Sequence, residues 1–560
     1  MAFDIHRNKN PRMKLIYLSG SLREIGEDYG AYLKRWYRST PLYLFSRIVD
    51  LFIEHSTQDR PQTVKRAMRE FVYRYIEKNA MNSLTPEFEE LLDGMAKGLG
   101  ISRKEIRKAV SFADVFPHLV NIGGMINRSL FPHSLVGCSS FFGWGNFTKY
   151  GNLLHARNFD FFGGREWEDN HAIIIMKPRG MNSNLTVTSD SALIPGVTTL
   201  LVNGTVMDLH LNYTREVSRK GINILALMAT VALKAKNLEE VEEYISKYQR
   251  FTGWGLLVSN PAYGGALFEM TAKRYSKRIL KKNSYIFYNN DYFNPEFKKK
   301  EAVPAYRWVL FNTGRDRRME ELLKENFGEI DPSISARILS DHYDVWENKE
   351  RGPGHIISCV YNASSVIFDV ENDTLYMAVG GSPVNNNPFY PVKISDLWYG
   401  KLTIKGDPLQ PSIFARSKKI EGLRHYISAY YAWWYKLDIC RAIEELDRAV
   451  EIDPEEPQYY LLRSWMKLKA GYNEDALSDI EKYLEFDLHP YNREMGELWR
   501  SRILDLAGRV EEGRKIVKHL SNSKFPDIKK WAAKTLNKPY SISMVKRLDI
   551  DFVLGEFFDY

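Results

Sequence analysis

The chain has 560 residues, of which 44% are hydrophobic and 26% are charged, and its formal net charge is +8 at pH 7. It is too long for a single hydrophobic core, so several domains are expected, and its ordinary composition excludes a largely disordered protein. The basic excess is mild and forms no dense lysine-arginine block, which argues against a nucleic-acid partner.

The sequence carries no clear targeting, membrane or metal signal. The apolar stretch near the N terminus has about six residues, shorter than the ~7–15 of a secretory signal. The longest apolar run, INILALMATVALK, suits a buried helix better than a membrane span. Cys138, Cys359 and Cys440 form no CxxC pair, which predicts neither a disulfide framework nor a zinc site. We therefore expect a cytoplasmic protein without a membrane span, a metal or a cofactor.

The first part of the chain, up to about residue 130, is predicted to be helical because its apolar residues recur at three- and four-residue spacing. The stretch LTPEFEELLDGMAKGLGISRKEIRKAV is one example. Its first helix is predicted to start at Thr85-Pro86 and to end at Gly98-Leu99-Gly100.

From Leu135 to about residue 400 the pattern changes to short β-rich runs separated by turn signals. Helical blocks lie between these runs, and NILALMATVALKAKNLEEVEEYISKY is the clearest of them. Strands interrupted by long helical blocks indicate a layered α+β or α/β domain.

From about residue 420 the chain is predicted to be helical again, and it contains a repeat. AIEELDRAVEIDP begins at Ala442, ALSDIEKYLEFDL begins at Ala476, 34 residues later, and a degenerate third copy, GRVEEGRKIVKHL, begins at Gly508. A helix-turn-helix period of this length resembles tetratricopeptide repeats, which stack to bury their apolar faces.

One cysteine lies in a predicted β-hairpin. The segment GCSSFFGWGNFTKYGNLLHARNFDF has alternating strands around a turn near Thr148–Gly151. Reflection about that turn places Cys138 opposite Phe161 or Asp160, with Arg157 one to two strand steps further back. A register change of one residue would exchange the faces, so the pattern leaves open which side chain points at the thiol.

The neighbours of Cys138 fit the chemistry of a thiol nucleophile. A free thiol has a pKa near ~8.5, so it needs a nearby cation and a base to react as thiolate. No histidine lies beside Cys138 in the sequence. If the chain were cut between Gly137 and Cys138, the new α-amine, with a pKa of about 7.7–8.0, could take the thiol proton. Gly137 would allow the close, strained backbone of the N-to-S acyl shift that makes such a cut, and Asp160 would orient the amine.

This hairpin segment resembles the start of the mature chain in N-terminal-nucleophile amidohydrolases. It is most similar to the acyl-coenzyme A:6-aminopenicillanic acid acyltransferase-like peptidases, the C45 peptidase family, which are related to bile-salt hydrolases and acid ceramidase. Later blocks follow in the family's order, among them PGVTTLLVNGTVMDLHLNY, YIFYNNDYFNPEF, VPAYRW, LSDHYD and ASSVIFDVENDTLYMAVGGSP. The resemblance covers roughly residues 15–400.

The resemblance implies an α+β protein with an N-terminal-nucleophile αββα sandwich. The expected divisions are a helical propeptide-like segment at 1–137, the catalytic sandwich at 138–410, tetratricopeptide-like repeats at 420–535 and a C-terminal tail at 536–560.

The resemblance also implies roles for particular residues. Gly137 and Cys138 would form the processing site. The other implied roles are Cys138 as nucleophile, Arg157 and Asp160 as the pair that tunes it, Asn212 as an oxyanion-hole donor, Asn290 (or the adjacent Asn289) as a contact of the nucleophile's amine or the oxyanion, and Arg307 as an arginine near the nucleophile.

We therefore expect hydrolysis or acyl transfer of a linear, small-molecule amide through a Cys138 thioester. Three alternatives stay open: a lipid-directed amidase of ceramidase or N-acyl-ethanolamine type, which a long apolar pocket would favour; a dormant relative that acts as an interaction protein; and an uncut precursor.

The repeats are expected to bind a protein or peptide partner and to be dispensable for chemistry, so that deletion from about residue 415 leaves activity intact. The competing interpretation is that YYAWWY, at 430–435, packs on the catalytic domain and that the repeats cover its pocket.

Overall fold

A computed structural model describes residues 2–3, 13–57, 60–126, 136–161, 165–168, 170–189, 193–302, 306–553 and 555–559. These residues form a mixed α/β fold followed by a helical C-terminal region, which confirms the predicted fold at this level. None of the described helices is both long and apolar enough to cross a membrane.

The N-terminal part is mostly helical. Ser21 and Glu24 form a capping box at the start of α1, and Gly100 ends α5 with a φ of +75°, so both boundaries follow from local sequence. α3 continues into α4 through a π-helical turn. The elements are β1 (Ala2–Phe3), β2 (Lys14–Gly20), α1 (Leu22–Leu33), α2 (Pro41–Ser56), α3 (Gln62–Val72), α4 (Lys78–Asn82), α5 (Pro86–Leu99) and α6 (Arg103–Ile126).

Helices α1 and α5 cross at glycines. Gly26 and Gly30 of α1 face Gly94 and Gly98 of α5, and a Cβ on any of them would lie 2.1–2.4 Å from a backbone oxygen of the other helix. Real Cβ atoms do not approach an oxygen so closely, so this crossing requires the absence of a side chain at these positions.

The middle of the chain alternates strands and helices. The strands are β3 (Val136–Gly145), β4 (Gly151–Phe161), β5 (His171–Pro178), β6 (Asn184–Ser189), β7 (Thr198–Leu201), β8 (Val206–Asn212), β9 (Gly253–Asn260), β10 (Gly264–Met270), β11 (Tyr275–Ile279), β12 (Tyr285–Tyr288), β13 (Tyr343–Asp344), β14 (Lys349–Glu350), β15 (Asn362–Asp369), β16 (Thr374–Ala378) and β17 (Phe389–Lys393). The helices are α7 (Arg165–Glu168), α8 (Ile224–Lys234), α9 (Leu238–Lys247), α10 (Pro295–Lys298), α11 (Tyr306–Glu325), α12 (Pro332–Leu339) and α13 (Ile394–Leu397).

Apart from β13 and β14, which pair with each other, these strands and β1 and β2 form a larger and a smaller sheet that face each other. The larger sheet has the order β1-β2-β5-β6-β7-β8-β9-β10-β11, and the smaller sheet has the order β12-β3-β4-β15-β16-β17. Ile173 and Ile175 of β5 share an apolar cluster with Phe368 of β15, which fills the space between the sheets. Helices including α1, α2, α6 and α8 pack on the outer face of the larger sheet, and α11 and α12 pack on that of the smaller sheet.

The register of the β3–β4 hairpin decides which side chains meet. Cys138 pairs with Phe159, Gly137 with Asp160, and Ser140 with Arg157. The predicted pairing of Cys138 with Phe161 or Asp160 is therefore wrong. The reason is the position of the turn. The pair nearest to it is Gly145 with Gly151, so the turn is centred on Thr148 and not between Lys149 and Tyr150, the centre of the predicted turn. The irregularity between Gly143 and Gly145 offsets only one residue of this difference.

The C-terminal region is a series of helices in which each packs against the next. The repeat copies fall on α15, α17 and α19 of the following set. The elements are α14 (Lys419–Lys436), α15 (Ile439–Ile452), α16 (Pro457–Ala470), α17 (Asn473–Glu485), α18 (Pro490–Leu506), α19 (Val510–Leu520), α20 (Pro526–Asn537), α21 (Ile542–Arg547), β18 (Leu548–Asp551) and β19 (Glu556–Asp559).

Small residues make the close contacts within the repeats. Ala442 and Ala476 are fully buried. In the third copy the corresponding contact is made by Gly513, where a Cβ would lie 2.7 Å from the backbone oxygen of Ser501, whereas a Cβ on Gly508 would meet nothing within 4 Å. The third copy is thus displaced along the sequence relative to the 34-residue period.

The stretch predicted as a tail is structured. Strands β18 and β19 pair antiparallel and form what we call the C-terminal hairpin. Its apolar side chains belong to the same cluster as α2, α6 and the repeat helices.

Candidate active site

The thiol of Cys138 faces the larger sheet. Cys138 is 1% exposed, and Arg157 Nη2 donates a hydrogen bond to its Sγ at 3.5 Å. The same nitrogen donates to the carbonyl of Leu209 in β8 at 2.7 Å, which fixes the guanidinium. Of the predicted pair Arg157 and Asp160, Arg157 is therefore the one that lies beside the thiol.

Asp160 lies on the opposite side of the hairpin, beside the backbone that precedes Cys138. A Cβ on Gly137 would be 3.1 Å from Asp160 Oδ2, and that oxygen has no hydrogen-bond partner among the described residues. Asn362 Nδ2 donates to Oδ1 at 2.7 Å, and Arg315 Nη1 is 3.9 Å from Oδ2. One carboxylate oxygen is thus left facing the Gly137–Cys138 bond.

Asn290 and Arg315 hold the main chain of Cys138. The Cys138 N–H donates to Asn290 Oδ1 at 2.9 Å, and Asn290 Nδ2 donates to the Leu211 carbonyl at 2.9 Å. Arg315 donates to the Cys138 carbonyl at 2.9 Å and to Asn290 Oδ1 at 3.0 Å. Asn290 occupies this position, and the adjacent Asn289 donates to Asp316 instead.

Arg307 is placed elsewhere. It begins α11 and donates to the carbonyl of Gly555 in the C-terminal hairpin. Arg315 lies eight residues further along the same helix, about 12 Å away at 1.5 Å per residue. Arg315 was not predicted, because no local pattern in the sequence of α11 distinguishes it from Arg307.

Asn212 offers an unused donor. It ends β8, it is fully buried, and its Nδ2 has no hydrogen-bond partner among the described residues. Its Oδ1 accepts from Tyr288 OH at 3.1 Å, so the amide is held with its NH₂ group free. A buried, unpaired donor costs free energy and is expected where a ligand or a transition state supplies the acceptor.

A buried charge network behind Arg157 was not predicted. Asp208 lies 3.4 Å from Arg157 Nη1 and 2.9 Å from His155 Nε2. His210 Nε2 is 3.3 Å from Asp208 and 2.9 Å from the Ser140 hydroxyl. Alternation along β8 puts Asp208 and His210 on the face that carries Asn212. This alternation was the signal available in VMDLHLN.

The electrostatics of this network keep Asp208 charged. Burial alone raises the pKa of Asp208, but Arg157 and the two histidines outweigh it and hold that pKa well below its usual range. Burial lowers the pKa of His210 to about 4. Asp208 therefore supplies the buried negative charge that Arg157 needs.

Burial opposes ionisation of the thiol. It raises the pKa of Cys138 to about 11, although the Arg157 charge acts against the rise. It also raises the pKa of Asp160 to about 6, against the effects of Arg315 and Asn362. In the uncut chain the thiol is therefore protonated at neutral pH and needs a base.

An apolar pocket adjoins the thiol. Its volume, measured as space open to the centre of a water molecule, is about 40 Å³, room for a few atoms in the uncut chain. Pro117 has no N–H, so the carbonyl of Ala113 lacks its usual helical donor at this wall. The lining residues are Ile48, Phe112, Ala113, Phe116, Pro117, Cys138, Phe159, Phe161, Val197, Leu209, Leu211, Leu225 and Trp254.

No group of three or more His, Cys, Asp or Glu side chains in the described part of the chain is arranged to hold a metal ion.

Comparison with known proteins finds a matching family model, which covers the middle of the chain. Residues 148–382 match the model of the family described as acyl-coenzyme A:6-aminopenicillanic acid acyl-transferase. The match contains Arg157, Asp160, Asn212 and Asn290 and begins after Cys138. No curated protein sequence matches the chain.

Among solved structures, the R18L variant of conjugated bile acid hydrolase from Clostridium perfringens is 12% identical, with a TM-score of 0.31, over 49% of this chain and 99% of that chain. Penicillin V acylase from Agrobacterium tumefaciens is 8% identical, with a TM-score of 0.27, over 49% of this chain and 100% of that chain. TM-scores this low support no inference about fold or activity.

Proposed function

We propose that this chain is a self-processing amidohydrolase or acyltransferase in which Cys138, once freed as an N-terminal residue, is the nucleophile. One observation carries the proposal. Arg157 lies at the thiol of Cys138, while Asn290, Arg315 and Asp160 surround its main-chain nitrogen and carbonyl. An N-terminal nucleophile needs both of these environments on one residue.

Self-processing begins at the Gly137–Cys138 bond. The Cys138 sulfur gives up its proton and attacks the Gly137 carbonyl carbon. The C–N bond then breaks, and the nitrogen takes up one proton to become the α-amine, so no proton is gained or lost overall. A thioester then joins Gly137 to Cys138 Sγ. Water hydrolyses it to the Gly137 carboxylic acid and the free thiol. The unpartnered oxygen of Asp160, next to Gly137, is placed to receive the ammonium form of the new amine.

Turnover uses the freed amine as base. It takes the thiol proton, sulfur attacks the substrate amide carbon, and Asn212 Nδ2 is the proposed donor to the resulting oxyanion. Collapse transfers a proton to the leaving amine and leaves an acyl thioester on Cys138. Water completes hydrolysis, whereas a second amine completes acyl transfer.

The pocket favours an apolar acyl group. Apart from the thiol, its lining residues are aliphatic, aromatic or proline, and burial of such surface favours apolar ligands at roughly 25 cal/mol per Å². In the uncut chain the pocket is short, with a volume of about 40 Å³, so it does not select the lipid-amide alternative, which a long apolar pocket would favour.

The finer fold assignments belong to the same proposal. The facing sheets with helices on both outer faces support an N-terminal-nucleophile αββα sandwich. The 34-residue spacing of buried Ala442 and Ala476 supports tetratricopeptide-like repeats.

Intact mass of the purified protein tests the proposal. Cutting at Gly137–Cys138 yields fragments of 137 and 423 residues from the 560 of the chain. We expect both in the wild type, neither in Cys138→Ala, slower cutting in Cys138→Ser, and normal cutting in the control Cys440→Ala, because Cys440 is exposed.

Labelling of the 423-residue fragment by a thiol-directed acyl probe should follow the cut. An active enzyme whose N terminus is Met1 or Ala2 would contradict self-processing. A chain that is neither cut nor labelled would support the dormant alternative.

A further inference from the structure

The C-terminal helices present a row of aromatic side chains to one groove. Trp433, Trp465, Trp499 and Trp531 lie on α14, α16, α18 and α20, at spacings of 32, 34 and 32 residues. The first three are fully buried. We call these residues the tryptophan row.

The C-terminal hairpin fills this groove. Trp433 Nε1 donates to the Ile550 carbonyl at 3.1 Å, so the backbone of the hairpin is held as well as its side chains. The ring centroid of Phe557 lies 4.6–5.9 Å from those of three members of the row: Trp465, Trp499 and Trp531. An intramolecular segment therefore takes the place that the sequence analysis gives to a partner.

The same hairpin contacts the N-terminal segment. Asp549 Oδ1 lies 3.4 Å from His55 Nδ1 at the end of α2. His55 Nε2 donates to the Trp434 carbonyl at 2.7 Å, and the two rings stack at 4.1 Å. His55 and Asp549 are 3% and 1% exposed, so water does not compete for this contact.

The hairpin also contacts the sheet domain. Arg307 of α11 donates to the Gly555 carbonyl. Burial and the nearby Asp551 carboxylate raise the pKa of Tyr213, the residue that follows Asn212. The hairpin is thus wedged between the repeat helices, α2 and the end of the strand that carries Asn212.

We propose that the C-terminal hairpin is the built-in ligand of the tryptophan row and that it clamps the N-terminal segment onto the rest of the protein through α2. The partner of the repeats is then the chain's own C-terminal hairpin, which in turn contacts α2 of the N-terminal segment. It follows, on the basis of the proposed function, that the N-terminal fragment stays bound after the cut at Gly137–Cys138.

Hydrogen exchange of the full-length Cys138→Ala chain tests the clamp without processing. Phe557→Ala removes the ring that contacts the tryptophan row. The isosteric Asp549→Asn weakens the contact with His55 and keeps the oxygen that accepts from the Ile550 N–H. Tyr399→Ala, at a residue that is 85% exposed, is the matched aromatic control. α5 (Pro86–Leu99) serves as the internal reference.

We expect exchange in α2 to accelerate on the order of 100-fold in Phe557→Ala and about tenfold in Asp549→Asn, with α5 unchanged and the control like the parent. Faster exchange in the hairpin with an unchanged exchange rate in α2 would contradict the proposed clamp. Unchanged exchange rates in both the hairpin and α2 would contradict it as well. If the Phe557→Ala protein unfolds, exchange in α5 accelerates as well. The exchange of α2 in Asp549→Asn then decides whether the hairpin clamps α2.

Gel filtration of the processed wild type adds a second readout. We expect the 137-residue fragment to co-elute with the remainder in the wild type and to separate at a lower urea concentration in Asp549→Asn carrying Phe557→Leu, because the pairing of β2 with β5 also holds it. If the wild type is never cut, the proposed function fails while the exchange result still decides the clamp. If the wild type is cut and its 137-residue fragment elutes separately, the proposed clamp is wrong while the proposed function stands.

Discussion

Arg157 and Asp160 act on opposite sides of Cys138 because residues three apart on a strand point to opposite faces. Arg157 faces the thiol and Asp160 faces the backbone at Gly137. The motif therefore supplies a cation to the sulfur and a carboxylate to the nitrogen of one residue. This division suits a nucleophile whose base is its own amine.

Replacement of Arg315 should impair both processing and turnover. Arg315 contacts the carbonyl of Cys138 and the oxygen of Asn290, so Arg315→Ala leaves the nucleophile misplaced, at an expected cost of about 100-fold in probe-labelling rate. Arg315→Lys should recover part of the rate, since a lysine keeps the charge but not the forked geometry.

Arg317→Ala is the matched control, because Arg317 on the same helix is 58% exposed and pairs with Glu321. A labelling rate in Arg315→Ala equal to that of the control would contradict the positioning role.

Asp160 should destabilise the uncut chain near neutral pH. Burial raises its pKa from 3.8 to about 6, so the native state binds more protons than the unfolded state in this range. Stability from this group is full below about pH 4 and is lost as the pH rises through 6. In a Cys138→Ala background, Asp160→Asn should raise the free energy of unfolding at pH 7–8 by up to about 3 kcal/mol, and by much less at pH 4.

Urea unfolding at both pH values measures this difference. Asp407→Asn, at an exposed position, should change stability at neither pH. A gain for Asp160→Asn that is equal at pH 4 and pH 8 would argue against the assigned titration.

At this scale the sequence named four residues that the structure places at or around Cys138, and it named Arg307, which the structure places at Gly555. Cys138, Arg157, Asp160 and Asn290 were named from it, and the structure brings them together. Arg315 was missed because sequence spacing does not say which turn of α11 lies over the smaller sheet.

At the scale of secondary-structure elements, α6 is the helix that contributes most of the pocket residues from the N-terminal segment. Phe112, Ala113, Phe116 and Pro117 of this helix share the pocket with Cys138. The segment predicted as a propeptide is thus also a wall of the pocket, so its retention after the proposed cleavage would affect substrate choice.

Narrowing the pocket at α6 should discriminate against long acyl chains. Ala113→Leu places a larger side chain at the wall, and we expect kcat/KM for the octanoyl 4-nitroanilide to fall about 10–100-fold relative to the acetyl compound. Ala31→Leu, at an exposed position of α1, is the control and should leave the ratio unchanged. Equal losses on both anilides would place the acyl chain elsewhere.

Element types and rough positions followed from periodicity and capping, as at Thr85-Pro86 and Gly100. Register did not, because the turn is centred on Thr148, before the predicted centre at Lys149–Tyr150, and turn residues occur on both sides of it. The C-terminal hairpin was missed because short strands gain their stability from distant partners, here the tryptophan row.

At the scale of the whole molecule, the repeat helices and the sheet domain share buried polar contacts. Arg351 Nε donates to Glu456 Oε2 at 3.2 Å, with both side chains buried. Tyr431 of the YYAWWY stretch donates to Glu168 at 3.0 Å. These contacts favour the interpretation in which the stretch packs on the sheet domain.

Deletion from residue 415 onward should therefore abolish folding rather than spare activity. It would remove Glu456 from Arg351 and would expose the apolar surface under α14. We expect an insoluble product without probe labelling. Arg509→Ala, which removes an exposed ion pair with Glu512, should fold normally as the full-length control. A soluble, labelled truncation would restore the accessory interpretation.

The order of synthesis gives the C-terminal hairpin a further consequence. His55 and Asp549 are 494 residues apart, so at about 5–20 residues per second α2 leaves the ribosome roughly 25–100 s before its anchor exists. A chain stopped before residue 548 keeps the pairing of β2 with β5 but lacks the contact between Asp549 and His55. The end of α2 therefore stays open until residues 548–559 have been made, so closing it is a late step in the assembly of the described chain.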